Sequence, residues 1–169
     1  MSTTRRQIDA PPEKVWAVLA DADNYAHWVV GSRDIRHADP RFPAKGTSFH
    51  HTLAFGPLDL KDTSEVMESD EPRRLVLHVK ARPFGRGTVE IDLAAAGGGT
   101  QLTMREGPAS LVARLFHNPV IDVALHGRNV EALRRLAELA EGKAPEPRTS
   151  HNSGADAGGQ DGPAVGPHS

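Results

Sequence analysis

Four polar side chains stand where an apolar residue would continue the local pattern. His51 alternates with Phe49, Leu53 and Phe55. Asp62 and Ser64 alternate with Leu60 and Val66, and Glu106 follows Leu102 and Met104 at steps of two. Residues two apart on a strand point to the same side, so these groups are aimed at whatever the apolar residues cover. A carboxyl drawn into apolar surroundings has a raised pKa, and a histidine beside it can pass protons. His51 with Asp62 is therefore a candidate acid/base pair, and Glu106 a further carboxyl for the same work. The alternative is structural: bulges or frayed ends turn these side chains to solvent, or they hydrogen-bond at a cavity rim.

Other constellations carry less chemistry. His50 and His51 are adjacent on a strand and point to opposite faces, so they do not chelate one ion. His117 and His126 lie nine residues apart, about two and a half turns of a continuous helix, on opposite sides of it. No metal site is expected. The Gly97–Gly99 run and the Phe84–Gly87 stretch lack the strand-to-helix setting of a phosphate loop and read as hairpin turns, so no nucleotide cofactor is expected. No nucleophile-elbow motif is present. Cysteine is absent, which removes disulfides, thiolate nucleophiles and thiolate metal ligands.

The elements that must position these groups are legible in the periodicity. A short, mostly polar strand around Thr3–Asp9 suits a sheet edge. Pro11 and Pro12 suit a helix start, and Val15, Trp16, Val18 and Leu19 form its apolar face. Asp21 and Asp23 are good caps for a second short helix carrying Tyr25 and Trp28, after which Gly31 turns the chain into strand. From about Arg33 to Glu106 the period is two, punctuated by Pro and Gly, as in an antiparallel meander. Leu75, Leu77 and Val79, then Val89, Ile91 and Leu93, then Leu102 and Met104 share an apolar face whose alternate neighbours are polar.

A covering layer must sit on that face. Val120, Val123, Ala124, Gly127, Val130, Leu133, Leu136, Ala137 and Ala140 recur at three- and four-residue steps. They predict a helix over 119–142, roughly 36 Å long and able to cross the whole sheet. Gly127 at mid-helix marks either a close backbone approach or room left for a ligand. Arg128, Arg134 and Arg135 alternate with Glu131, Glu138 and Glu141 and read as a solvated, ion-paired face. Ser110–His117 reads as a helical lead-in or a flap.

At 169 residues with a formal charge of -2, the chain suits one domain, over residues 1–142, followed by a Pro-, Gly- and Ser-rich disordered tail at 143–169. No overall basic bias attracts phosphate backbones and few aromatics offer stacking platforms, so nucleic acid is not an expected partner. No apolar run approaches the roughly 20 residues that span a bilayer, and a cytoplasmic protein without stable membrane insertion is the expectation. Oligomeric state is not legible.

The opening Ala10-Pro11-Pro12-Glu13-Lys14-Val15-Trp16, with Asp21 and Trp28, the meander and the long last helix, resembles the helix-grip superfamily. That group includes START lipid-transfer domains and birch-pollen-allergen-like proteins, and the nearest likeness is to its polyketide cyclase/dehydrase-like branch. The resemblance implies an α+β fold: a curved antiparallel sheet of six to seven strands wrapped around a long C-terminal helix, with two short helices after the first strand. It also implies a hollow under the helix, with Trp28 near its mouth. The expected partner is a small hydrophobic molecule, lipid-like or aromatic polyketide-like, held by Trp28, Phe49, Leu53, Leu60, Ser64, Leu77, Ile91, Met104, Phe116, Val120, Ala124 and Gly127. Phe84 and Phe116 are candidates to close the entrance or simply to pack. A cyclase or dehydratase using His51 with Asp62 or Glu106, and a protein-interaction module with a collapsed cavity, are the alternatives. Fold alone does not choose among them.

Overall fold

Pro11 caps the first helix in an extended conformation and Pro12 occupies its first turn, where a missing N–H leaves nothing unpaired. The structure, a computed structural model, describes residues 2–55, 58–81, 85–108 and 119–143, with side chains except at 53, 55, 58, 60, 81, 85, 108 and 119–125. In chain order the elements are β1 (Ser2–Ile8), α1 (Pro12–Ala20), a single 3-10 turn (Ala22–Asn24) and α2 (Tyr25–Trp28). They continue through β2 (Ser32–Ala38), β3 (Ser48–Phe55), β4 (Leu58–Asp70), β5 (Arg74–Ala81), β6 (Gly85–Ala96) and β7 (Gly99–Pro108) to α3 (Pro119–Ala140). The Asp21 carboxylate accepts from the Asp23 amide at 3.0 Å and so caps the 3-10 turn.

The seven strands form one antiparallel sheet in the order β1-β7-β6-β5-β4-β3-β2. Consecutive strands from β2 to β7 are neighbours, and β1 returns to pair with β7 from Ser2↔Glu106 to Ile8↔Thr100. The sheet is curved and unclosed, with β1 and β2 as its edges. Leu75 faces Ile91, Ile91 faces Met104 and Leu93 faces Leu102 across the ladders. The apolar residues thus line up in rungs on one side, while the other side is polar. There Arg74 bonds Asp92 at 2.7 Å and Glu90 at 3.1 Å, and Arg105 meets Asp92. Burial raises the Asp92 pKa, but the Arg74 and Arg105 guanidiniums together outweigh it and hold the carboxyl below its ordinary value.

The covering layer is α3 together with α1. Leu133, Leu136, Ala137 and Ala140 are buried against the sheet, joined by Val15, Trp16, Val18 and Leu19 of α1. A fully buried leucine such as Leu133 contributes about 1.5–3 kcal/mol by leaving water. The buried stripe also takes in Asn129 and Ala132, and it leaves out two residues of the sequence pattern. Val130 is 44% exposed, and Gly127 is exposed. At about 100° per residue Gly127 lies nearly opposite the centre of the stripe. A Cβ on Gly127 would meet nothing within 4 Å among the described residues.

The expectations for Phe84, Phe116, the 110–117 lead-in and the tail from residue 144 lie outside the described residues. So do those for the side chains of Leu53, Leu60, Val120 and Ala124.

Candidate functional site

Between the apolar face of the sheet and α3 lies a cavity of about 80 Å³. Its floor is an aromatic cluster made where α2 meets β3. The Tyr25 ring packs, tilted, at 5.0 Å from Trp28 and 4.7 Å from Phe49, and Phe49 lies 5.2 Å from the His51 ring. Phe42, from the β2–β3 connection, packs edge-on against Tyr25 and Phe49. The Tyr25 hydroxyl donates to the Leu19 carbonyl at 3.0 Å, and burial pushes its pKa well above the ordinary range. This ring is therefore an anchored, neutral plug that fixes Trp28 beside it.

Val29, Val30, Leu77, Val79, Val89, Met104 and Ala132 supply the apolar wall, and Ser32, His51, Ser64, Glu106, Arg128 and Asn129 its polar points. His51 is 5% exposed. Its Nε2 lies 3.1 Å from Ser64 Oγ, and the two share a hydrogen bond. Burial, with smaller contributions from the charges of Arg36 and His50, lowers the His51 pKa from 6.5 to about 4. At neutral pH the ring is uncharged: it can take part in hydrogen bonding, but it holds no spare proton to deliver as a strong acid.

Glu106 sits at the far end, at the helix. Asn129 Nδ2 donates to its Oε2 at 2.6 Å, and Arg128 Nη2 lies 4.0 Å from Oε1. The buried Asn129 thus ties α3 to β7, and Arg128 turns toward this carboxylate. Arg128 is exposed, as the solvated-face reading expects, but its partner is Glu106 of β7 and not a glutamate of its own helix. Arg134 and Arg135 do pair within the helix, with Glu131 and Glu138, while Glu141 accepts from the Asp9 amide and pairs with Lys143.

Of the residues singled out in the sequence, Trp28, Phe49, His51, Ser64, Leu77, Met104 and Glu106 stand in one wall. Asp62 is buried directly across the ladder from His51, with Oδ1 accepting from the Thr63 amide at 2.9 Å. It is not among the described wall residues. Ile91 is wholly buried in the core below the cavity, and Gly127 is on the outer side of α3. Sequence reasoning did not assign Tyr25, Val29, Val30, Ser32, Val79, Val89, Arg128, Asn129 or Ala132 to the site. Asn129 and Ala132 were within reach, because they complete a helical stripe with Leu133 and Leu136. Among the described residues no group of three or more His, Asp or Glu is arranged to hold a metal, and His50 turns outward to Thr63 Oγ1 at 3.0 Å. No helix among them is long and apolar enough to cross a membrane.

A seven-stranded sheet gripping a C-terminal helix over a cavity defines a helix-grip protein. A family model described as polyketide cyclase / dehydrase and lipid transport matches residues 2–141, and the chain belongs to that family. Solved structures with the same fold include a protein from Nitrosomonas europaea (21% identity, TM-score 0.67, covering 83% of this chain and 94% of that one). Another, from Rhodobacter sphaeroides, shows 26% identity and a TM-score of 0.64 over 83% and 91% of the two chains. A protein from Arthrobacter aurescens reaches a TM-score of 0.67 at 12% identity over 88% and 90%. Comparison with the curated proteins finds no match.

Proposed function

We propose that the protein binds a small, largely apolar molecule in the cavity between the sheet and α3, and acts as a carrier or receptor for it. The observation that carries this reading is the wall itself. Apolar side chains from four strands, the α2–β2 segment and α3 surround a void and leave a few fixed polar groups to orient a guest. The family's description, which includes lipid transport, points the same way. A guest confined to this space is small, on the scale of one ring or a short acyl chain.

The second reading, a cyclase or dehydratase, is favoured by one observation: His51 and Glu106 face the same cavity. Against it stand the low pKa of His51 and the engagement of Glu106 by Asn129. Native mass spectrometry of gently purified protein tests binding directly. A stoichiometric adduct of small mass is expected, and an empty protein that also fails to take up a panel of ring-sized and short-chain apolar compounds would overturn the proposal. If a guest is retained and returns chemically altered, with the change abolished by His51→Asn, the enzyme reading replaces the carrier.

A further inference from the structure

Two residues of the cavity wall each carry a buried polar atom with no hydrogen-bond partner among the described residues: the indole Nε1 of Trp28 and the hydroxyl of Ser32. Both residues line the cavity, both are at least nine-tenths buried, at 4% and 5% exposure, and both atoms lie just beneath the wall surface with almost no area open to the cavity, so a guest's oxygen reaches them only as the wall gives slightly. They come from one short stretch, α2 and the first residue of β2, which the Tyr25 anchor holds in place.

A buried polar group that forgoes a hydrogen bond is costly, and native proteins leave few of them. The chemistry of the two groups narrows what would satisfy them. An indole N–H can only donate, and a serine hydroxyl can donate as well as accept. The shared complement is an acceptor. Both donors are neutral, and the nearby cation, Arg128, already faces Glu106. A carboxylate brought here would thus add a second negative charge beside a cation that Glu106 already opposes, at a far higher desolvation cost than an uncharged oxygen. His51 is neutral too and is bonded to Ser64, so it adds no positive charge.

We infer that the cavity selects guests carrying a neutral acceptor oxygen, a ketone, ester or lactone carbonyl on an apolar body, and that Trp28 and Ser32 are the residues that read it. The inference rests on the proposed binding function and makes it more specific: an apolar molecule lacking such an oxygen fits the same space less well.

Isosteric pairs test it. Acetophenone and α-methylstyrene differ only in carbonyl oxygen against methylidene, and methyl hexyl ketone and its methylidene analogue extend the comparison to a chain. Affinities are measured by displacement of an environment-sensitive fluorophore. The ketone of each pair is expected to bind roughly tenfold more tightly. In Ser32→Ala and Trp28→Phe that ratio is expected to fall to about two or less. Because Trp28→Phe also removes ring area from the aromatic floor, the wild-type protein gives an independent readout in a heteronuclear correlation spectrum. The Trp28 indole N–H resonance is expected to move downfield with the ketone and not with the alkene, with Trp16 as the internal reference. Equal affinity within each pair and an unmoved Trp28 resonance would overturn the inference while leaving apolar binding intact. Failure of every member of both pairs to bind would overturn the binding function and the inference together.

Discussion

His51 is a base placed where its charged form is penalised. Its pKa falls from 6.5 to about 4 on folding, chiefly by burial, so between these values the unfolded chain binds a proton that the folded protein refuses. Stability from this residue is therefore complete above about pH 6.5 and is lost as pH falls toward 4. The shift corresponds to something on the order of 3 kcal/mol. A His51→Leu variant is expected to lose much of the decline in melting temperature between about pH 7 and pH 5. If the slope over that window matches the wild type, the ring is solvated or charged in the folded protein, and its assignment as a neutral cavity group fails. His51 was legible in the sequence because it alternates with Phe49 on a strand that keeps its register. Its hydrogen bond to Ser64 was not: Ser64 lies diagonally across the ladder from it, a contact made by side-chain geometry that periodicity does not contain.

The β6–β7 hairpin shows how an element is read correctly while one of its residues is missed. Gly97 and Gly98 have φ of 58° and 79°, the left-handed pair that a two-residue hairpin turn needs. The glycine run was readable as a turn on that ground. Gly99 is a glycine for a different reason. A Cβ there would lie 2.1 Å from the Ile8 carbonyl oxygen, since β7 begins where the end of β1 presses on it and Thr100 Oγ1 donates to the Ala10 carbonyl at 2.7 Å. That contact joins segments about 90 residues apart, and no local pattern announces it. Gly99→Ala should therefore push β1 away and cost a few kcal/mol, whereas Gly98→Ala, with nothing within 4 Å, should cost only the roughly 1–2 kcal/mol of a left-handed alanine. Urea midpoints of the two variants provide the comparison, and a larger loss for Gly98→Ala would contradict the close approach of β1. In α3 the misreading ran the other way. Gly127 and Val130 fit a three- and four-residue repeat by spacing, but the helix turns its Asn129, Ala132, Leu133 and Leu136 side inward, where all four are buried and Asn129 donates to Glu106.

For the molecule as a whole, the cavity sets stability and binding against each other. Interiors are packed nearly to crystal density, and a void of about 80 Å³ leaves up to roughly 2 kcal/mol of packing unrealised at the cost per volume seen in core truncations. It is smaller than the roughly 150 Å³ apolar cavity that accepts benzene, so a ring-sized guest requires the wall to give slightly. On its α3 side the wall is made by Arg128, Asn129 and Ala132. Ala132 lies in it, one turn from Asn129, and is 5% exposed. Ala132→Leu directs three extra carbons into the void. In the absence of guest it is expected to raise stability by about 0.5–2 kcal/mol, a few degrees in melting temperature for a chain of this size. The wild type should instead gain about 2.7 kcal/mol from an apolar guest at a hundredfold excess over its dissociation constant, a gain the filled variant should largely lose. Thermal unfolding of both proteins, with and without the guest, separates these effects. A variant that is stabilised but still responds fully to the guest would place binding elsewhere than under α3, whereas opposite changes in stability and guest response would tie both to the same space.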